Sequence, residues 1–168
     1  MRWPAGHKSV DGGAGRRLAA GMSELRIEQV DGEAGVEDWQ RIHNEVIPTH
    51  LLSLDDVRER SGRNVLEVAY LGDVAVGCST VRPPTGEAPE TATVIARILP
   101  GHRGRGHGGE LYAHGLRRAR GLGATEIETV VLASNGSGLR FALRHGFVEV
   151  ERYLLEGDTI PWIDLRLA

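Results

Sequence analysis

From residue 24 onward the chain switches repeatedly between the two-residue and the 3.6-residue period of apolar positions, and the switches mark out its elements. Leu25 to Val30 alternates and predicts a short strand. Val36, Trp39, Ile42/His43 and Val46 recur at helical spacing, so Val36 to Val46 predicts a helix, which Pro48 ends. Leu54, Val57 and the stem of Arg60 continue a second short helix. Ser53 is its N-cap, and Asp55-Asp56 fall in its first turn, where the helix dipole favours acids. Val65 to Leu71 and Val74 to Val81 are β runs joined at Gly72-Asp73, a spacing that predicts an antiparallel hairpin. Thr91 to Leu99 is a third long strand, closed by Pro100-Gly101. Glycines 104, 106, 108 and 109 lead into a helix with Leu111, Gly115/Leu116 and Ala119 on its inner face, stopping at Gly121 or Gly123. Thr125 to Leu132, Phe147 to Leu155 and Trp162 to Leu167 predict strands, and Gly138 to Arg144 a short helix.

The order β-α-α-β-β-β-α-β-α-β-β predicts a mixed α/β fold, in which the β-α-β crossover requires at least one parallel pair beside antiparallel hairpins. Residues 1 to 22 follow neither period and predict a disordered extension ahead of one domain over 23–168. At 168 residues the chain is long enough to close a core without disulfides or metals. Cys78 is the only cysteine, which excludes an internal disulfide and a multi-cysteine zinc site. Its place in VAVGCSTV predicts a buried thiol. No apolar run approaches the ~18 residues that cross a bilayer, and the start lacks the apolar centre of a secretory signal. A soluble cytoplasmic protein without a membrane partner is expected.

Charge changes the picture locally. The formal net charge is −3, which argues against a nucleic-acid partner. Yet Arg97 to Arg120 holds six arginines (97, 103, 105, 117, 118 and 120) against one acid, Glu110, so a small anionic ligand fits there. Stacking aromatics are missing from that region apart from Tyr112, which further disfavours nucleic acid.

A turn of closely spaced glycines before a helix can aim its amides into one concavity, because no Cβ blocks the unusual dihedrals or an anion's approach. The helix adds its unpaired first-turn N–H groups and dipole, and Arg103 and Arg105 add charge. At about 1.5–3 kcal/mol per hydrogen bond to a charged group, four such bonds compare with the total of about 8 kcal/mol for a micromolar ligand. A diphosphate would suit. Gly104-x-Gly106-x-x-Gly109 also fits a dinucleotide fingerprint, with Glu126 and Glu128 downstream. That fingerprint should open a first βαβ unit directly at a strand end, whereas here Pro100 to Arg103 intervene and hairpins come first. No Gly-Lys-Ser or Gly-Lys-Thr of a P-loop occurs.

The segment Ile98 to Leu111, ILPGHRGRGHGGEL, resembles the acetyl-CoA signature of the GNAT N-acetyltransferase superfamily, R/Q-x-x-G-x-G/A after a strand. A second segment, Asn135 to Phe147, NGSGLRFALRHGF, is similar to the family's later motif, in which an Asn opens a short helix and a Gly-Phe pair closes it. The resemblance implies a single domain with a central mixed, mostly antiparallel sheet, helices on both faces and one splayed parallel pair, here the strands ending near Leu99 and Leu132. It implies direct acetyl transfer from acetyl-CoA to a primary amine of a small molecule or protein, without a metal. Ile98 and Leu99 would offer backbone groups to the pantetheine arm and thioester. Ile98 N–H would be the oxyanion donor. Arg103, Gly104, Arg105, Gly106, His107 and Gly108 would hold the pyrophosphate, and Asn135 would contact the arm. A CoA-binding regulatory module without turnover stays open as an alternative.

One position departs from the family. Ala142 stands where many members carry the tyrosine that protonates the departing thiolate. A thiol of pKa about 8.5 leaves as a tolerable anion, and Tyr112, Tyr153, Ser137 or water could substitute. The acceptor must also lose a proton. Glu90, at the start of the long strand, is the candidate base, with a solvated loop acid as its bland reading. His43 and His50 lie where the family shapes its acceptor pocket, but their spacing is weak for a metal. Trp39 and Trp162 read as core residues, and Arg117, Arg118 and Arg120 as a solvated helix face. The exposed strand expected at Trp162 to Leu167 could pair across a homodimer.

Overall fold

The computed structural model of the protein describes residues 24–168, so the extension expected over 1–22 lies outside the described residues. The elements run β1 (Leu25–Gln29), α1 (Glu33–Val46), α2 (Leu54–Arg63), β2 (Val65–Leu71), β3 (Val74–Arg82) and β4 (Thr91–Ile98). After a 3-10 turn (Pro100–His102) come α3 (His107–Gly121), β5 (Glu126–Leu132), α4 (Gly136–Arg144), β6 (Phe147–Tyr153) and β7 (Trp162–Leu167). The sequence patterns thus become elements with ends shifted by a few residues, as helix and strand termini commonly are. The expected cap of α2 is a full capping box: Ser53 Oγ accepts from Asp56 N–H, and the Asp56 carboxylate accepts from Ser53 N–H.

The described strands form one sheet in the order β1-β2-β3-β4-β5-β7-β6. β1 to β4 is an antiparallel meander, and β4 with β5 is a parallel pair. Period-two alternation divides the sheet's side chains between two helical layers. On one face Val81, Ala92, Val94, Ile127, Val131, Ile163 and Leu165 pack with Tyr112 and Ala119 of α3 and Ala142 of α4. On the other, Leu66, Val68, Cys78 and Leu99 pack with Val36, Trp39 and Ile42 of α1 and Val57 of α2. Trp39 is fully buried, and its indole N–H donates to Ser79 O at 3.0 Å, pinning α1 to β3. At Gly115 an added Cβ would lie 2.7 Å from Val94 Cγ1, so glycine is what lets α3 lie close against β4.

The C-terminal strand is not at an edge. Trp162–Leu167 lies between β5 and β6, correcting the expectation that it could pair across a dimer. The burial pattern gives the reason: Trp162, Ile163 and Leu165 are buried, whereas of β6 only Phe147 is, with Val148 and Val150 exposed. The more apolar strand takes the inner place, and the open edge on that side belongs to β6.

Candidate functional site

β4 and β5 pair only over Thr91↔Glu126, Ala92↔Ile127 and Thr93↔Glu128. Beyond that point β4 stays with β3 as far as Ile98, and β5 stays with β7 as far as Leu132. The splay expected between them opens a cleft of about 620 Å³. Ile95 to Ile98 and Thr129 to Leu132 form its two strand walls, and residues of the glycine turn, α3 and α4 complete it.

Backbone direction decides what the strand end can offer. Leu99 N–H donates to Val76 O at 2.8 Å, toward β3, and Leu99 O accepts from His102 N–H at 2.9 Å. Successive strand amides point to opposite sides, so Ile98 N–H points away from β3 into the splay. Ile98 therefore fits the expected donor geometry, while Leu99 does not: its backbone groups are spent inside the protein. Ile98 O accepts from Arg103 Nε at 2.9 Å, and Arg103 Nη1 lies 3.2 Å from Ser137 Oγ. Arg103 thereby bridges the end of β4 to the start of α4 across the cleft.

Gly104 and Gly106 have φ of +77° and +84°, the left-handed region, with open space where a Cβ would stand. Gly106 caps α3 without any side-chain acceptor, so the first-turn amides of His107, Gly108 and Gly109 have no protein cap. The concavity is that of an anion cradle. Arg103, Gly104, Gly106 and Gly108 line the cleft, whereas Arg105 is exposed and His107 half-buried outside the lining. Asn135 lines it too, but its Oδ1 accepts from Gly138 N–H at 3.0 Å and from Ser137 Oγ at 3.2 Å. Its amide NH2 is the part left for a ligand.

Ala142 is buried and lines the cleft where a hydroxyl would be useful. Of the substitutes, Tyr153 hydroxyl donates to Asp164 at 3.0 Å and Ser137 is engaged by Arg103 and Asn135. Tyr112 lines the cleft with its hydroxyl buried and unpartnered, and burial raises its pKa, which keeps the proton on.

Glu90 stands apart. It is exposed at the outer end of β4, its carbonyl accepting from Thr125 and Glu126 N–H. Eight residues of strand separate it from Ile98, roughly 26 Å. Sequence reasoning missed Asp164. It pairs with Val130, two positions beyond the last β4–β5 pair, and its flanking Ile163 and Leu165 enter the α3/α4 core, so Asp164 faces the α1/α2 side where the strands part. Burial raises its pKa, opposed by the Tyr153 hydrogen bond. The signal available was the single acid in the apolar run WIDL.

His43 is buried, stacked on Trp39, and donates from Nε2 to His50 O at 3.0 Å, tying α1 to the loop before α2. Burial first, then Arg97, pushes its pKa down to about 4. His50 meets Trp162 edge-on. Cys78 is fully buried, and burial pushes its thiol up to about 12, so it is no nucleophile. Arg118 is not simply solvated: it donates to Gln29 at 2.8 Å and lies 3.7 Å from buried Glu67, which also meets His114 at 2.9 Å. Among the described residues no group of three or more His, Cys, Asp or Glu could hold a metal ion, and no helix is long and apolar enough to cross a membrane.

Residues 26–147 match the family model described as Acetyltransferase (GNAT) family. Among solved structures, a candidate phosphinothricin N-acetyltransferase is similar with TM-score 0.71 and 23% identity, over 84% of this chain and 96% of that one. YncA from Salmonella typhimurium, solved with its cofactor acetyl-CoA, gives 0.69 and 16%, over 86% and 94%. Ribosomal-protein-alanine N-acetyltransferase from Brucella melitensis gives 0.66 and 19%, over 84% and 98%. At these identities the likeness is one of fold. No curated protein matches the chain.

Proposed function

The chain belongs to the acetyltransferase (GNAT) family, and from that premise we propose that it transfers an acetyl group directly from acetyl-CoA to a primary amine. The observation that carries this is the continuity of the cleft: an uncapped glycine turn at one end and a splayed parallel pair at the other, joined by one cavity of about 620 Å³. Arg103 and the amides following Gly104 hold the pyrophosphate, and Asn135 offers its NH2 to the arm. Ile98 N–H faces the thioester oxygen and stabilises the charge that develops there, help worth about 2.7–4 kcal/mol where one such donor has been removed.

The acceptor comes from the α1/α2 side, opposite the glycine turn and α3 that take the cofactor. Asp164, with Tyr153 hydroxyl on its Oδ1, takes the ammonium proton directly or through one water. The amine nitrogen then attacks the thioester carbon, sheds its surplus proton to solvent as the C–S bond breaks, and the thiolate takes a proton from solvent or from Tyr112, which solvent then reprotonates. Buried Cys78 offers no covalent intermediate. Fold likeness to YncA, which is solved with acetyl-CoA, supports the donor.

Calorimetry with acetyl-CoA and release of free CoA thiol across a panel of amines test the two halves of the reading. Saturable micromolar binding with amine-dependent thiol release is expected. Folded protein that binds no acetyl-CoA at millimolar concentration sinks the proposal. Binding without release on any amine leaves a CoA-binding module, the reading that Ala142 favours.

A further inference from the structure

Three guanidinium groups approach one another on the α1/α2 face. Arg82 and Arg97 share that face because β3 and β4 pair antiparallel, with Cys78 opposite Arg97 and Arg82 opposite Thr93, while Val81 and Val94 turn to α3. Arg60 joins them from the last turn of α2. Arg97 feels the repulsion of both Arg82 and Arg60, and Arg60 that of Arg82 and Arg63. Arg60 and Arg97 are half-buried, and Arg82 is exposed. Desolvation is nonetheless the first cause lowering the pKa of all three, followed for Arg60 by the charge of Arg82.

Cations so placed usually have counterions. Arg58, Arg63, Arg118 and Arg166 each lie within 4.0 Å of a carboxylate. Among the described residues, the guanidinium groups of Arg60, Arg82 and Arg97 have neither an ion pair nor a hydrogen bond; Asp56 and Glu59 act on Arg60, and Asp164 and Tyr153 on Arg82, only at longer range. Asp56 is already committed to the cap of α2. Arg97 lines the cleft, so the group opens onto the point where β4 and β5 part. Asp164 faces the same side and supplies the opposite charge.

We propose that this face binds an amine that also carries an oxyanion, an amino acid or aminoalkylphosphonate, with the anion on Arg82, Arg97 and Arg60 and the ammonium at Asp164. Guanidinium forks match a carboxylate or phosphonate in pairs of parallel hydrogen bonds. The cofactor's phosphates are not the occupant, since the glycine turn that suits them lies past the end of β4, at the start of α3 on the other face. That the bound molecule is the acyl acceptor rests on the acetyl-transfer reading; that the face prefers an oxyanion does not.

Calorimetric titration of the full chain compares proteinogenic L-amino acids, each against its own carboxamide, and α-aminoalkylphosphonates against the corresponding alkylamines. The anionic member of at least one pair is expected to bind tenfold or more tightly than its neutral partner, and the carboxylate and phosphonate arms tell the two sources apart. Arg82→Gln and Arg97→Gln each lower that preference about tenfold, and thermal unfolding midpoints that do not fall show the variants folded, because repulsion has been relieved. Equal affinity within every pair, including no binding by any member, overturns the proposal. So does a preference that survives the double variant. Acetyl-CoA is titrated separately: if the wild-type chain fails to bind it, the transfer reading falls, while the oxyanion preference is still decided by the pairs.

Discussion

The two faces of the sheet contribute to the cleft with different parts of their residues. On the α3/α4 side most of the groups proposed to meet the cofactor are backbone, namely Ile98 N–H, the amides after Gly104 and Gly106 and the uncapped start of α3, with the side chains of Arg103, Asn135 and Tyr112 beside them. On the α1/α2 side Arg97 lines the cleft, and the side chains proposed to act with it, Arg60, Arg82 and Asp164, come from three further elements, with His43 buried behind them. Backbone groups bind what every acetyl-CoA has in common. Side chains can change one at a time without disturbing the sheet, so under the proposed reading that face is where acceptor identity would be written.

Four changes would break or sharpen this contrast. The largest effect should come from Asp164→Asn, which removes the proposed base while keeping the shape. A loss of about 10²–10⁴ in kcat/KM with unchanged acetyl-CoA affinity is expected, and a variant of full activity would return Asp164 to a structural role. Next is acid stability. His43 is depressed from 6.5 to about 4, so the unfolded chain takes up the proton first. Stability is full above pH 6.5 and falls as pH drops toward about 4, by about 3 kcal/mol in total. Urea unfolding at stepped pH should show that slope, and His43→Gln should flatten it.

On the backbone face, Gly106→Val places a β-branched residue at φ +84°, costing about 1–2 kcal/mol locally and misdirecting the cradle amides. Acetyl-CoA affinity should drop about tenfold to a hundredfold, with the affinity for oxyanionic amines unmoved. Equal losses on both ligands would dissolve the division of labour. Smallest is Ser53→Ala, which removes the α2 cap that carries Arg60 into place. About 1 kcal/mol of stability should go, measured by denaturant midpoint.

The same contrast explains what could be read from the sequence. The glycine turn is local in the chain, and its spacing before a helix states its own geometry, whereas the splay and the place of Asn135 at the start of α4 follow from the family resemblance and not from any local pattern. Order and type of the described elements, like the glycine turn, follow from local pattern. The place of β7 does not, because a hairpin can dock by either strand and only the burial of Trp162, Ile163 and Leu165 against exposed Val148 and Val150 decides it. Asp164 and the arginine group were illegible too. Arg82 and Arg97 meet through strand register, Arg60 arrives from a helix, and no spacing rule connects three residues that far apart. Glu90 adjoins the strand of Ile98 but stands at its far end, so a place beside that strand does not bring it to the cleft.

The sheet order also sets a timetable for synthesis. β1 is joined by β2, then β3, then β4, and α1 and α2 have already emerged to cover them, so the first four strands can assemble as they leave the ribosome. The second wall cannot. β6 emerges before β7 yet is separated from β5 by it, so the outer edge of β5 stays bare until residue 167 has appeared. An arrested nascent chain ending before Trp162 would therefore hold a finished arginine-bearing half beside an unpaired β5, a state for a chaperone to shield rather than an early enzyme.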